Sequence, residues 1–334
     1  MILQSFNEFR GLDNLYTAWR HFRRGKPERR DVILFERNLE HELFKLSEDL
    51  LSGSYVHGSY ADFCMRDPKF RQIHKATVRD RVVHQALFDV LYPQFERRFY
   101  FDSYSSRKKK GTYAAISRVS DFLRKESHNG RREAWALHGD VKNFFASVDH
   151  RTLANQLRCT ISDDNYFRLC KKIVFGFNSQ SGKGLPLGNL TSQLFANVYL
   201  HELDYFVKQA LGIKRYARYN DDFFIVSADK RWLMKIGYVL QKFLQDQLFL
   251  SLPEDKIQIR RLADGIDILG VVAFLYGLVP RRRLESAAHK CLEEAAEFGY
   301  TLESWRKTVS YIGLLKHTKK YFLRERLRLC YAQP

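Results

Sequence analysis

The chain has 334 residues, 45% of them hydrophobic and 14% aromatic, with 56 lysines and arginines against 38 acids and a formal charge of +18. That length supports a large core spread over two or three lobes, and the apolar content excludes a disordered tail. The cationic excess favours a polyanionic partner, of which nucleic acid is the commonest.

Cys64, Cys159, Cys170, Cys291 and Cys330 are scattered, and none forms a Cys-x-x-Cys pair of the zinc or redox kind. They read as reduced thiols, which points to a cytoplasmic protein. The N-terminus lacks the basic start and apolar block of a signal peptide, and no apolar run approaches a membrane span.

Residues 11–24 carry Leu12, Leu15, Tyr16, Trp19 and Phe22 at helical spacing, ended by Gly25-Lys26-Pro27. A second helix is predicted from Arg30 to Leu51, with Leu34, Leu39, Leu43, Leu46 and Leu50 on one side and Gly53 closing it. The basic cluster from Arg20 to Arg30 reads as a solvated face, and in a nucleic-acid enzyme it would contact phosphates without reading bases. Residues 54–74 predict a hairpin with Asp67-Pro68 as its turn, and Ala76–Tyr92 an amphipathic helix stopped by Pro93. Arg79 and Arg81 lie near the start of that helix, where its dipole disfavours cations; an anionic partner, or a salt bridge to Asp80 or Asp89, accounts for them. Arg107 to Lys110, with Lys108 and Lys109 between, form a dense basic loop before a helix over 113–125, at an N-terminus that is itself an anion site.

Residues 134–141 read as a buried strand ending in Asp140, and Asp149 reads as the N-cap of a helix over 152–175. A glycine-rich loop over 182–193 then leads into a helix predicted from Leu194 to Gln209. It lacks the Gly-Lys-Ser/Thr ending of a P-loop. Tyr219-Asn220-Asp221-Asp222 lies between apolar runs and predicts two short strands joined by a tight turn. Helix 230–248, Lys256 after a turn, a strand pair within 265–279 and a basic helical segment over 284–329 complete the chain.

On its own the Asp-Asp turn is an ordinary solvated turn. Asp140 at a strand end and Asp221-Asp222 at a hairpin tip are placed to meet at one sheet edge of an α/β layer. Ionised carboxylates gathered in a low dielectric need a cation, and three of them suit two magnesium ions. Such a site activates a hydroxyl and stabilises the leaving oxygen of an in-line phosphoryl transfer, the chemistry of a nucleotide polymerase.

These pieces, in this order, resemble a reverse transcriptase over nearly the whole chain. Asp140 followed five positions on by Phe145 resembles the first catalytic motif, and Tyr219 to Asp222 the Tyr-x-Asp-Asp box. Lys256 falls where the family has a later palm lysine, and Leu269-Gly270 resembles the primer-grip turn. Phe70-Arg71-Gln72-Ile73 and Arg79-Asp80-Arg81 are similar to fingers segments of bacterial, group II intron-related enzymes.

The resemblance implies an α/β (α+β) right-hand polymerase: an N-terminal helical fingers extension over 1–53, fingers over 54–139, a ferredoxin-like palm with an antiparallel sheet over 140–279, and a helical thumb over 280–334. It implies Asp140, Asp221 and Asp222 as catalytic acids that, with the Val141 carbonyl, ligate two Mg2+ ions, with Mn2+ as an alternative. Phe145 becomes a steric gate against the 2′-hydroxyl. Lys69 and Arg71 hold the incoming triphosphate, with Leu187, Gly188, Gln193 and Lys256 completing the nucleotide site. Arg79, Arg81, Lys108, Lys109, Lys110, Tyr219 and Asn220 face nucleic acid.

The loop Leu187-Gly188-Asn189-Leu190-Thr191-Ser192-Gln193 departs from the Gln-Gly and Ser-Pro pattern of most bacterial relatives and resembles the enzymes of diversity-generating retroelements. Those copy a template RNA into cDNA with frequent errors opposite adenine. Apolar Leu187 in place of glutamine removes a polar group that would help position the nascent pair, which loosens geometric discrimination. The implied partners are a structured template RNA, the cDNA primer, deoxynucleoside triphosphates and a small basic accessory protein oligomer, with no membrane, in a bacterial, archaeal or phage-encoded system. An antiphage-defence or retron-type reverse transcriptase shares the chemistry. A non-catalytic RNA-binding protein of the same shape would have no use for concentrated negative charge beside RNA, and a two-metal nuclease no use for the Phe145 gate.

Overall fold

A computed structural model describes residues 4–66, 70–177, 182–298, 302–318 and 325. Four helices open the chain: α1 (Phe6–Arg10), α2 (Leu12–Arg23), α3 (Arg30–Arg37) and α4 (Leu39–Ser52). The first was not foreseen; it is held by a capping box in which Ser5 and Glu8 satisfy each other's backbone N–H groups. The helix predicted over 30–51 is two. Asn38, at φ −120° and ψ 30°, breaks it, because asparagine competes poorly in a helix interior. Leu34, expected on the buried side, is exposed. Gly53 closes α4 in the left-handed region at φ 74°.

The hairpin strands are β1 (Ala61–Arg66) and β2 (Phe70–Lys75), antiparallel with Ala61 opposite Lys75. Its expected turn at Asp67-Pro68, and with it Lys69, lies outside the described residues. Next, α5 (Val78–Glu96) packs against α2 and carries Pro93 inside it instead of stopping there. Proline forfeits one backbone bond in the last turn, and buried Tyr92 and Phe95 on either side keep that turn against the core.

After α6 (Thr112–Glu126) come β3 (Trp135–Asp140), α7 (Phe144–Ser147), α8 (His150–Arg158) and α9 (Asp164–Phe175). The helix expected over 152–175 is thus split, and Asp149 and Asp163 each cap one part by accepting backbone N–H bonds. Helix α10 (Leu190–Tyr205) begins four residues before its predicted start, so Gln193 belongs to its first turn; a π-helical turn over Phe206–Ala210 follows. Then come β4 (Tyr216–Tyr219), β5 (Asp222–Ser227), α11 (Lys230–Leu248), β6 (Ile257–Arg261), β7 (Ile266–Ile268), β8 (Val271–Phe274) and β9 (Gly277–Pro280). The last three form a sheet of their own, where a strand pair was predicted. Helices α12 (Arg282–Phe298) and α13 (Leu302–Leu315) end the described chain. Among the described residues no helix is long and apolar enough to cross a membrane.

The main sheet has strand order β4-β5-β3-β6, every neighbour antiparallel. Chain order β3, helices, β4, β5, α11, β6 on that strand order is the ferredoxin-like arrangement. Period-2 alternation gives each face its own core. Leu137, Tyr216, Phe223 and Ile225 join the large core with α5, α10 and α11. Ala136, Ala217, Phe224 and Val226 join a second core with α6 and the small sheet. Gly139 lies over the Phe223 ring, where any Cβ would collide with ring carbons. The position therefore needs glycine for close approach, not for an unusual φ.

Candidate active site

The hairpin β4–β5 is closed by Asn220 and Asp221, with Tyr219 opposite Asp222. Asn220 takes φ 56°, a left-handed conformation that asparagine tolerates better than most side chains. Its amide donates to Asp221 Oδ1 at 2.7 Å. The β3–β5 register places Asp140 directly opposite Asp222. Three carboxylates therefore come from two adjacent strand ends and the turn between β4 and β5. The Val141 N–H donates to the Asp221 carbonyl at 3.4 Å, which ties the end of β3 to that turn.

This concentration of charge has visible consequences. Enclosure of the Asp221 carboxyl and the adjacent Asp222 carboxylate, with a further contribution from Asp140, push Asp221 up to about 6, against the opposing pull of local hydrogen bonds. Two side chains answer the other acids. Lys256, at the end of a 3-10 turn over Glu254–Lys256, places Nζ 2.7 Å from Asp140 Oδ2, and that hydrogen bond raises the ammonium above its ordinary range. His138 Nε2 lies 2.7 Å from Asp222 Oδ1. Among the described residues no three His, Cys, Asp or Glu side chains are gathered closely enough to hold a metal ion in this conformation. The donors fit a hard divalent cation nonetheless: all are oxygens, and burial of Asp221 together with the neighbouring Asp222 and Asp140 carboxylates raises it.

Around the acids, Phe144 is buried in the core while Phe145 is half-buried and meets it edge-on at 5.4 Å. The Phe145 carbonyl accepts from Leu185 N–H at 2.6 Å, joining α7 to the glycine-rich loop. That loop is laced to β2: His74 N–H donates to the Leu187 carbonyl, and the Asn189 amide donates to the His74 carbonyl, each at 2.9 Å. Gly188, at φ 104°, lies so close to Ile73 that a side chain there would clash. Leu187 is half-buried; Arg71 on β2 and Gln193 on α10 are exposed.

The remaining basic residues divide. Arg79 and Arg81 pair with Asp49 and Asp31, not with Asp80 or Asp89, and Arg81 also covers the Phe22 ring. Asp80 is buried and accepts from Tyr55 and Thr77 hydroxyls and Gly58 N–H, whereas Asp89 pairs with His21. These acids lie far away in sequence or are already engaged, which local charge patterning does not register. Lys110 lies over the Phe101 ring at 3.8 Å, and burial with nearby Arg107 pushes its amine down to about 8. Lys108 and Lys109 are exposed. The Tyr219 hydroxyl accepts from Thr112 at the start of α6, which brings that basic loop to the edge of the hairpin.

His138, Arg218 and Asp204 belong to none of the sequence motifs, yet the fold gives each a polar partner. His138 stands two residues before Asp140 on a strand, hence on the same face. Arg218 is fully buried and bonds Asp204, Asn197, Ser103 and the Asn220 carbonyl. An acid on the apolar face of α10 was the available signal, since a buried carboxylate needs a partner.

The family profile for reverse transcriptase (RNA-dependent DNA polymerase) matches residues 66–313. Protein YkfC of Escherichia coli is 27% identical over 277 residues, which cover 71% of this chain and 72% of that protein. The group II intron-encoded protein LtrA of Lactococcus lactis is 29% identical over 179 residues, 51% of this chain but only 29% of LtrA. Telomerase from Candida albicans, in complex with a fragment of telomeric RNA, aligns with a TM-score of 0.50 at 11% identity, covering 86% of this chain and 64% of that one. That likeness shows the right-hand polymerase fold. With the acids, the fold and the matched profile in agreement, the chain belongs to the reverse transcriptase family, the RNA-directed DNA polymerases.

Proposed function

We propose that this chain is the reverse transcriptase of a diversity-generating retroelement, copying a structured template RNA into adenine-mutagenic cDNA by two-metal phosphoryl transfer. The observation that carries the catalytic part is the register that sets Asp140 opposite Asp222 with Asp221 in the adjoining turn. In this reading Asp140, Asp221, Asp222 and the Val141 carbonyl hold two Mg2+ or Mn2+ ions. When bound, these supply Lewis-acid stabilisation of the attacking and leaving oxygens. Phe145 excludes a ribose 2′-hydroxyl by contact. Arg71, with Lys69 and Lys256, neutralises the triphosphate, beside Gly188 and Gln193. Exposed Lys108 and Lys109, with Tyr219 and Asn220, face the nucleic acid, whereas Arg79, Arg81 and Lys110 act within the fold. The segments 1–53, 54–139, 140–279 and 280–334 serve as extension, fingers, palm and thumb.

The mutagenic part rests on Leu187. Its carbonyl is fixed on β2 while its side chain offers only apolar surface where a glutamine would hydrogen-bond. A loop held this firmly cannot compensate by moving, so fewer polar contacts separate correct from incorrect pairs. A small basic accessory protein acting on the same template belongs to this reading.

The test is primer extension on an RNA template with Mg2+. Wild type extends the primer and Asp222→Ala does not; equal behaviour overturns catalysis at this site. Wild type misincorporates chiefly opposite template adenine and Leu187→Gln reduces those errors. Errors spread evenly over template bases, or unchanged by Leu187→Gln, overturn the mutagenic assignment. Equal processivity with and without the accessory protein removes that partner.

A further inference from the structure

We infer that His138 is a positioning residue for Asp222: its imidazole holds one carboxylate oxygen and so aims the other toward the Asp140–Asp221 cluster. The inference rests on the reading of the three aspartates as metal acids. His138 and Asp222 lie on neighbouring central strands, diagonally across the sheet, because His138 faces Phe224 and Asp140 faces Asp222 in the β3–β5 register. The distance from Nε2 to Oδ1 is 2.7 Å. A carboxylate only accepts, so Nε2 carries the proton in this bond.

The imidazole is fixed independently of the acid it serves. It stacks on Phe224 with ring centroids 4.6 Å apart and planes 9° from parallel, and Phe224 is itself buried in the second core. The ring cannot follow the carboxylate; the carboxylate must come to the ring. Lys256 on Asp140 is a different device, a flexible cation on a four-carbon stem with the freedom to leave. Among the described residues Asp222 Oδ2 accepts no hydrogen bond, so the oxygen that His138 does not hold keeps its lone pairs available for a cation. Partners that orient a ligating carboxylate are typically worth about 10–100-fold in metal affinity.

The experiment titrates the full-length chain with Mn2+ alone, without nucleotide or nucleic acid, and follows free Mn2+ by electron paramagnetic resonance. His138→Phe keeps the ring stack and removes the donor; His138→Gln keeps a donor. Thermal melting verifies that each variant is folded. The expected result is a Kd for Mn2+ raised about 10–100-fold in His138→Phe, largely restored in His138→Gln. Wild-type affinity in His138→Phe overturns the inference. So does tighter binding, which would make His138 a competitor of the ion, and so does failure of His138→Gln to recover affinity. Asp222→Ala separates the two levels: if it binds Mn2+ as wild type does, the metal-acid reading itself fails and the role of His138 with it.

Discussion

Arg218 and Asp204 form a buried, two-pronged ion pair beneath the β4–β5 hairpin: Arg218 Nε and Nη2 donate to the two carboxylate oxygens at 2.7 and 2.6 Å. Both side chains are wholly removed from solvent. The third prong, Nη1, donates to the Asn220 carbonyl at 2.9 Å, so the pair reaches the residue that turns the chain between β4 and β5. The Tyr216 hydroxyl donates to the same Asp204 carboxylate at 2.7 Å.

Removing one partner of such a pair leaves a buried charge uncompensated. Asp204→Ala is expected to destabilise the protein by about 3–5 kcal/mol, seen as a lower urea midpoint. The double variant Arg218→Met/Asp204→Leu, which removes both charges, is expected to recover much of that loss. A double variant as unstable as the single one would show that geometry, not charge, dominates.

Asp221 gives a pH dependence with a definite sign. Its folded value of about 6 lies above the ordinary 3.8, so the metal-free fold favours the protonated acid. Stability from this group is present below the unfolded value and is lost as pH rises from about 4 through about 6. In EDTA, Asp221→Asn is therefore expected to match wild type near pH 4 and to exceed it in urea resistance at pH 7.5. A gain that is equal at both pH values would contradict the assignment.

Gly139→Ala tests the packing under the acids. The added methyl would occupy the place of the Phe223 ring, and overpacking of this kind costs about 1–3 kcal/mol. Combining it with Phe223→Leu should return part of the loss, measured by chemical denaturation, because the smaller side chain vacates that space.

Phe145→Ala distinguishes a gate from a core residue. A gate predicts that ribonucleotide incorporation relative to deoxynucleotide rises about tenfold or more when the ring is removed. A residue that only packs on Phe144 predicts a lower melting temperature with the ratio unchanged.

Much of this protein was legible before any tertiary structure. Helix α11 has the predicted bounds of 230–248, and the strand pair flanking Asn220-Asp221 followed from apolar runs around a turn. Asp149 was readable as a cap, which it is. Errors fell where local signals compete with packing. Pro93 continued a helix that its neighbours bury, Asn38 broke one that the leucine spacing joined, and Gln193 entered a helix whose start the loop composition concealed.

By itself the sequence determined local periodicity, the turn chemistry of Asn220 and Asp221, and the ordered motifs that identify a reverse transcriptase, because each depends on residues a few positions apart. Only the tertiary structure decided which charges meet. His138 finds Asp222 across 84 residues, Lys256 finds Asp140 across 116, and Arg79 finds Asp49 across 30. Electrostatic and hydrogen-bond partners are set by distance in space, and in an antiparallel sheet that distance comes from strand register, which no short window of sequence contains.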